Sequence, residues 1–217
     1  MSRLPNIPDR MPRITARNNP FRTTRVESTI QFQPEWLDTS WHEILARFAT
    51  FRATRANCAV VGPHGTGKTT FFDGLEQHLK QQDYEVLRIS LHRTVDGRCE
   101  LPTIPTDVHR DTVILLDSAG VVGWRFSSPM YFQQRNQWRT QLERIAHCQT
   151  VESRHHRNNV PVLLQTSSTA TMLQTIIRRL DPDWQIPMPE IETLYQRHRG
   201  NIREALRECY DNRAAAV

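Results

Sequence analysis

Hydrophobic positions along this chain fall into two rhythms. Trp36, Leu37, Trp41, Ile44, Leu45, Phe48 and Phe51 recur at three- and four-residue spacing. That spacing predicts an amphipathic helix near 40–52 whose aromatic stripe faces a core. Four short apolar runs follow at 57–61, 84–91, 112–117 and 160–166, each of strand length. Helical patterns lie between and after them at 68–82, over a long stretch near 131–157, and at 169–180. Short apolar strands alternating with helices predict a parallel sheet covered on both faces, an α/β architecture. The run Trp184-Gln185-Ile186-Pro187-Met188 offers a fifth strand, which Pro187 would confine to an edge or a strand end. Stretches 189–197 and 201–213 read as closing helices, broken at Gly200.

The first 33 residues show neither rhythm. They carry Pro5, Pro8, Pro12 and Pro20 among six arginines, and predict an extended or disordered basic arm. The expected organisation is an arm over 1–33, an α/β core over 34–188 and a C-terminal helical segment over 189–217.

Composition narrows the classes. At 217 residues, 38% hydrophobic and 24% charged, the chain suffices for one ordinary core. Its longest apolar stretches are four or five residues, too short to span a bilayer, and its beginning has no apolar signal core. The expectation is a cytoplasmic chain with no membrane partner. Cys58, Cys99, Cys148 and Cys209 lie far apart without a CxxC pair, which argues against zinc or a disulfide framework. Net charge is +5, yet only Lys68 and Lys80 among the 28 basic residues are lysines. So lopsided a ratio reads as codon bias more than as a nucleic-acid surface, and the basic arm reads as a solvated tail.

The chemistry concentrates in Gly62-Pro63-His64-Gly65-Thr66-Gly67-Lys68-Thr69, which fits GxxxxGK[ST] and is followed by Thr70. It stands between the strand at 57–61 and the helix at 68–82, where such a loop turns backbone N–H groups and a helix N-terminus toward phosphate. Lys68 is expected to reach the β- and γ-phosphates, and the Thr69 hydroxyl to ligate Mg²⁺. The run Thr112-Val113-Ile114-Leu115-Leu116-Asp117 places a carboxylate at a strand's C-terminal end, suited to the Mg²⁺ shell beside the loop. Downstream stand the polar-ended strand Leu164-Gln165-Thr166-Ser167-Ser168 and the turn Gly200-Asn201-Ile202-Arg203-Glu204-Ala205-Leu206.

In this order the elements resemble AAA-type and related P-loop ATPases of the additional-strand class, over roughly residues 18–210. The resemblance implies a three-layer P-loop fold with a mostly parallel sheet of about five strands. It implies that Arg203 senses the γ-phosphate, and that Asn19-Pro20-Phe21 lies near the adenine. It implies too that the strand at 160–166 is inserted between those bearing the loop and Asp117. Thr166, with Ser167 second, would then face the attacking water. Helix capping by Ser167, Ser168 or Thr169 explains the same hydroxyls equally well. Two departures stand out. Only about twelve residues separate 184–188 from Gly200, and Ser118 follows Asp117 where the family places a glutamate.

The expected function is therefore Mg²⁺-dependent ATP binding with slow hydrolysis, a switch more than a motor. No spacing selects a base among Asp96, Glu100, Glu143 and Glu152. Asp117-Ser118-Ala119-Gly120 also reads DxxG, but no N-K-x-D follows, which removes guanine specificity. A small-molecule kinase with a lid over His92–Asp107, carrying Arg93 and Arg98, and a non-catalytic nucleotide-binding adaptor remain the alternatives. Arg178 and Arg179 end a helix from which related ATPases reach a neighbouring subunit; the helix dipole accounts for them as well. The aromatic run Trp124, Phe126, Tyr131 and Phe132 reads either as a partner-contacting insertion or as a hydrophobic plug.

Overall fold

The computed structural model describes residues 15–93, 99–100, 104, 108–109, 112–119, 137–138, 147–152 and 160–215. In chain order its helices are α1 (Thr23–Thr29), α2 (Trp41–Ala53), α3 (Lys68–Gln81), α4 (Ala170–Leu180), α5 (Met188–Arg197) and α6 (Ile202–Ala215). Its strands are β1 (Cys58–Val61), β2 (Val86–Ser90), β3 (His92–Arg93), β4 (Cys99–Glu100), β5 (Val113–Asp117), β6 (His147–Val151) and β7 (Val162–Gln165). Among the described residues the central sheet runs β2-β5-β6-β1-β7, every pair parallel, and β3 and β4 form a separate antiparallel pair.

The strands are apolar throughout because both faces of the sheet are covered. Along β5, Val113 and Leu115 join a core with Phe71, Phe72, Leu75 and Leu79 of α3 and with Ile44 and Phe48 of α2. Alternate residues Ile114 and Leu116 face the other way, onto Ile89, Ile104 and Trp138. The aromatic stripe read from the sequence is core: Trp41 stacks on Phe71 with ring centroids 5.5 Å apart. Ser40 and Glu43 close a reciprocal capping box at the start of α2. A second apolar cluster binds α4, α5 and α6 together around Leu173, Ile177, Ile191, Ala205 and Cys209.

Helix and strand positions agree with the sequence reading at 40–52, 68–82, 169–180 and the four apolar runs, within a residue or two at most ends. Three expectations give way. Within 131–157 the chain is not one helix, because His147–Val151 is a buried strand paired on both sides. That strand is the fifth of the sheet, whereas Trp184–Pro187 is irregular and precedes α5. And 15–33 is not simply extended: α1 lies there, Phe21 is buried in the C-terminal cluster, and Phe32 is buried in the main one. Hydrophobic burial overrode a weak local pattern in each case. Residues 1–14, most of the 92–107 lid segment, Glu143 and the aromatic run at 124–132 lie outside the described residues.

Candidate functional site

All five parallel strands point their C-terminal ends the same way, and the loop 62–67 leaves β1 there to enter α3. Two glycines show why the sequence must read as it does. A Cβ on Gly62 would collide with the Thr166 hydroxyl, and one on Gly65, at φ 71°, with the Asn201 side chain. The loop is braced from beneath: Thr66 Oγ1 donates to the Pro63 carbonyl at 2.9 Å and lies 2.7 Å from Thr166 Oγ1. Lys68 Nζ folds back to donate to the carbonyls of Gly62 at 2.8 Å and Pro63 at 2.6 Å. Burial pulls the Lys68 ammonium below the ordinary lysine value; Glu152 and Asp117 oppose that shift, and Arg203 adds to it.

A cleft of about 170 Å³ opens over this loop. His64, Gly65, Gly67, Lys68, Thr69, Thr70, Asp117 and Arg203 line it, so most of the residues singled out from the sequence meet in one place. Ser118, Thr150 and Glu152 line it too. Asp117, only 4% exposed, has both carboxylate oxygens engaged. Its Oδ1 accepts from Thr150 Oγ1 at 2.6 Å and from the Ser118 N–H at 2.9 Å, and its Oδ2 accepts from Arg88 Nη2 at 3.2 Å. Arg88 also pairs with Asp73 and lies over the Phe72 ring at 5.9 Å. Burial works against the Arg88 charge, but Asp73 and Asp117 outweigh it and hold the guanidinium above its ordinary value.

Arg203 reaches the cleft because the C-terminal segment docks on the loop. Gly200 takes φ 78°, Asn201 Oδ1 caps α6 by accepting from the Glu204 N–H at 3.2 Å, and Ser168 Oγ donates to the Gly200 carbonyl at 2.6 Å. Asn19 donates to the Tyr210 carbonyl at 2.9 Å, and Phe21 meets Trp184 edge-on at 5.4 Å. Arg178 and Arg179 are exposed in the last turn of α4.

The inserted strand is not the one expected. Between β1 and β5 stands β6, while β7, which leads into Thr166, lies on the outer side of β1. Thr166 is buried under the phosphate loop, its N–H donating to the Val61 carbonyl at 2.7 Å. Thr169, the third candidate cap, accepts from the Met172 N–H at 3.1 Å and starts α4. The end of β6 places Thr150 and Glu152 in the cleft instead. The sequence offers Glu152 as one of four candidate bases and gives Thr150 no role; the β-branched pair Thr150-Val151 inside a charged, helix-like stretch is the signal available for the strand.

Among the described residues, no group of three or more His, Cys, Asp or Glu is arranged to hold a metal, and no helix is long and apolar enough to cross a membrane. Cys58, Cys148 and Cys209 are free and buried. No protein-family model and no curated protein matches the chain. Among solved structures it is similar to the RuvB Holliday junction branch migration motor of Thermotoga maritima, with 16% identity and a TM-score of 0.44 over 83% of this chain and 63% of that one. Two variants of that protein give TM-scores of 0.42 and 0.39 at 16% and 18% identity, over 77% of this chain and 60% of theirs. The chain thus spans about three fifths of the length of these structures. A parallel α/β sheet with a phosphate-type loop at its carboxyl edge is the architecture, and the functional reading rests on the cleft itself.

Proposed function

We propose that the cleft binds ATP with Mg²⁺ and that the protein is a slow ATPase working as a nucleotide-held switch. One observation carries this reading. The GxxxxGKT loop sits between a buried parallel strand and a helix, and Lys68, Thr69, Asp117 and Arg203 line one cleft above it. Backbone N–H groups, a helix N-terminus and two cations facing the same space suit a triphosphate. The Thr69 hydroxyl and the Asp117 carboxylate are hard oxygen donors and fit Mg²⁺, which supplies charge neutralisation when bound. Lys68 would exchange the carbonyls of Gly62 and Pro63 for phosphate oxygens, and Arg203 would meet the terminal phosphate from α6.

Slow turnover follows from what stands after Asp117. Ser118 offers a hydroxyl there, a poor proton acceptor, and the oxygens of Asp117 are engaged by Thr150, Ser118 and Arg88. Titration of wild type and Lys68→Ala with ATP and with GTP tests the reading. The variant should lose about 1.5–3 kcal/mol of ATP affinity, the worth of a charge-assisted bond. Tighter binding of GTP than ATP would overturn the specificity, and equal ATP affinity in both proteins would overturn the site.

A further inference from the structure

We propose that Glu152 is the base that takes the proton from the attacking water, and that pairing with His64 of the phosphate loop restrains it and keeps turnover slow. This rests on the ATPase reading above. Among the described residues lining the cleft, the carboxylates are Asp117 and Glu152. Asp117 is fixed by three donors, so a proton acceptor has to come from elsewhere.

Strand register puts Glu152 in position. Leu116 pairs with Gln149, so continuing the ladder sets Asp117 opposite Thr150 and Ser118 opposite Val151. The Thr150–Asp117 hydrogen bond at 2.6 Å agrees with that continuation. On the other side Val61 pairs with Val151. Glu152 therefore leaves β6 one residue past both partners, between the phosphate loop on β1 and Asp117-Ser118 on β5. The carboxylate that Ser118 does not supply is supplied by the adjoining strand.

His64 Nε2 is paired with Glu152 Oε1. The imidazole is 67% exposed and the carboxylate 18%, so one partner is free to swing into water while the other stays in the cleft. A pair with so exposed a member is weak. A polyphosphate entering the loop repels Glu152 and competes for the His64 N–H, which loosens the pair from both ends. In the reaction, the oxygen of water bonds to the γ-phosphorus as the bond from that phosphorus to the β–γ bridging oxygen breaks. The electron pair leaves on ADP, the water proton passes to Glu152, and from there it returns to solvent.

The test uses the full chain with Mg²⁺-ATP, reading turnover by phosphate release and affinity with a fluorescent ATP analogue. Glu152→Gln should lower turnover about a hundredfold or more with affinity within about threefold of wild type. His64→Ala should raise turnover severalfold at saturating Mg²⁺-ATP, an increase that a merely structural histidine would not produce. Should Glu152→Gln melt below the assay temperature, Glu152→Asp decides, with an expected loss of about tenfold from its shortened reach. Wild-type turnover in the Glu152 variants overturns the base, as does a wild type that binds ATP and never hydrolyses it above the Lys68→Ala background. Unchanged or slower turnover in His64→Ala overturns the latch. A wild type that binds no ATP brings down the ATPase reading itself.

Discussion

Asp117 and Glu152 stand at the ends of adjoining strands, on the same cleft, in opposite surroundings. Asp117 is 4% exposed and receives Thr150, Ser118 and Arg88. Glu152 is paired with a histidine that is two-thirds in water. Breaking a buried, hydrogen-bonded charge network leaves uncompensated charge and costs several kcal/mol, while an exposed pair is worth about 0–1. The Asp117 network is therefore costly to break and the His64–Glu152 pair is cheap to break. On the proposed reading the first carboxylate serves the cation shell and the second takes the travelling proton.

The largest expected effect breaks the fixed side. Asp117→Ala strips half-buried Arg88 of one partner, leaves the Thr150 hydroxyl without its acceptor, and leaves the Ser118 N–H with Thr150 Oγ1 alone. We expect a loss of about 3 kcal/mol of stability in urea unfolding, the lower end for a broken buried pair because Asp73 still faces Arg88. Asp117→Asn keeps the shape and should recover most of that stability without the Mg²⁺ dependence of nucleotide binding. An alanine variant as stable as wild type would show that the network carries no weight.

Thr150→Val comes next. It removes the hydroxyl that donates to Asp117 and accepts from the Ser118 N–H at 2.7 Å, with little change in shape. The Ser118 N–H keeps Asp117 Oδ1, but the buried carboxylate loses one of its three donors, which costs about 1.5–3 kcal/mol, readable as a lower urea midpoint at unchanged m-value. His64→Ala, the matching change on the mobile side, should move stability by no more than about 0.5 kcal/mol. A His64→Ala loss as large as that of Thr150→Val would erase the distinction between the two carboxylates.

How far each carboxylate was legible in the sequence follows the same line. Asp117 closes a run of five buried residues, and the GxxxxGKT loop is eight consecutive residues between a strand and a helix, so the place of each in the fold is legible directly. Strand β6 is short and carries His147, Gln149 and Thr150 among its five residues. Nothing within it alternates cleanly, and its neighbourhood of arginines and histidines reads as a solvated helix. What makes it a strand is burial between β1 and β5, each some tens of residues away, and such pairing leaves no local trace. Thr166 illustrates the other half of the difficulty. Both β6 and β7 run parallel to β1, one on each side, and only packing decides which strand is inserted. The polar end was found, but on the outer side of the sheet.

The smallest effect discriminates the two carboxylates through a third group. Lys68 is held below the ordinary lysine value by burial, and of the two carboxylates that oppose the shift Glu152 contributes more than Asp117. Between its lowered value and about 10.5, the folded chain carries less of the Lys68 proton than the unfolded one. The penalty for burying that charge is present at neutral pH and is relieved as pH rises through the folded value, so this group's contribution to stability rises there. Removing either carboxylate should push Lys68 further down, and Glu152→Gln should do so more than Asp117→Asn. The measurement is direct because the chain has only two lysines, Lys68 and Lys80, so the lysine ε-carbon NMR spectrum holds two signals and Lys68→Met assigns them. Saturating nucleotide should shift Lys68 the opposite way, since phosphates favour the charged ammonium. If Asp117→Asn lowers Lys68 as much as Glu152→Gln does, the charge of Glu152 does not reach over the phosphate loop, and its place in the cleft has to be redrawn.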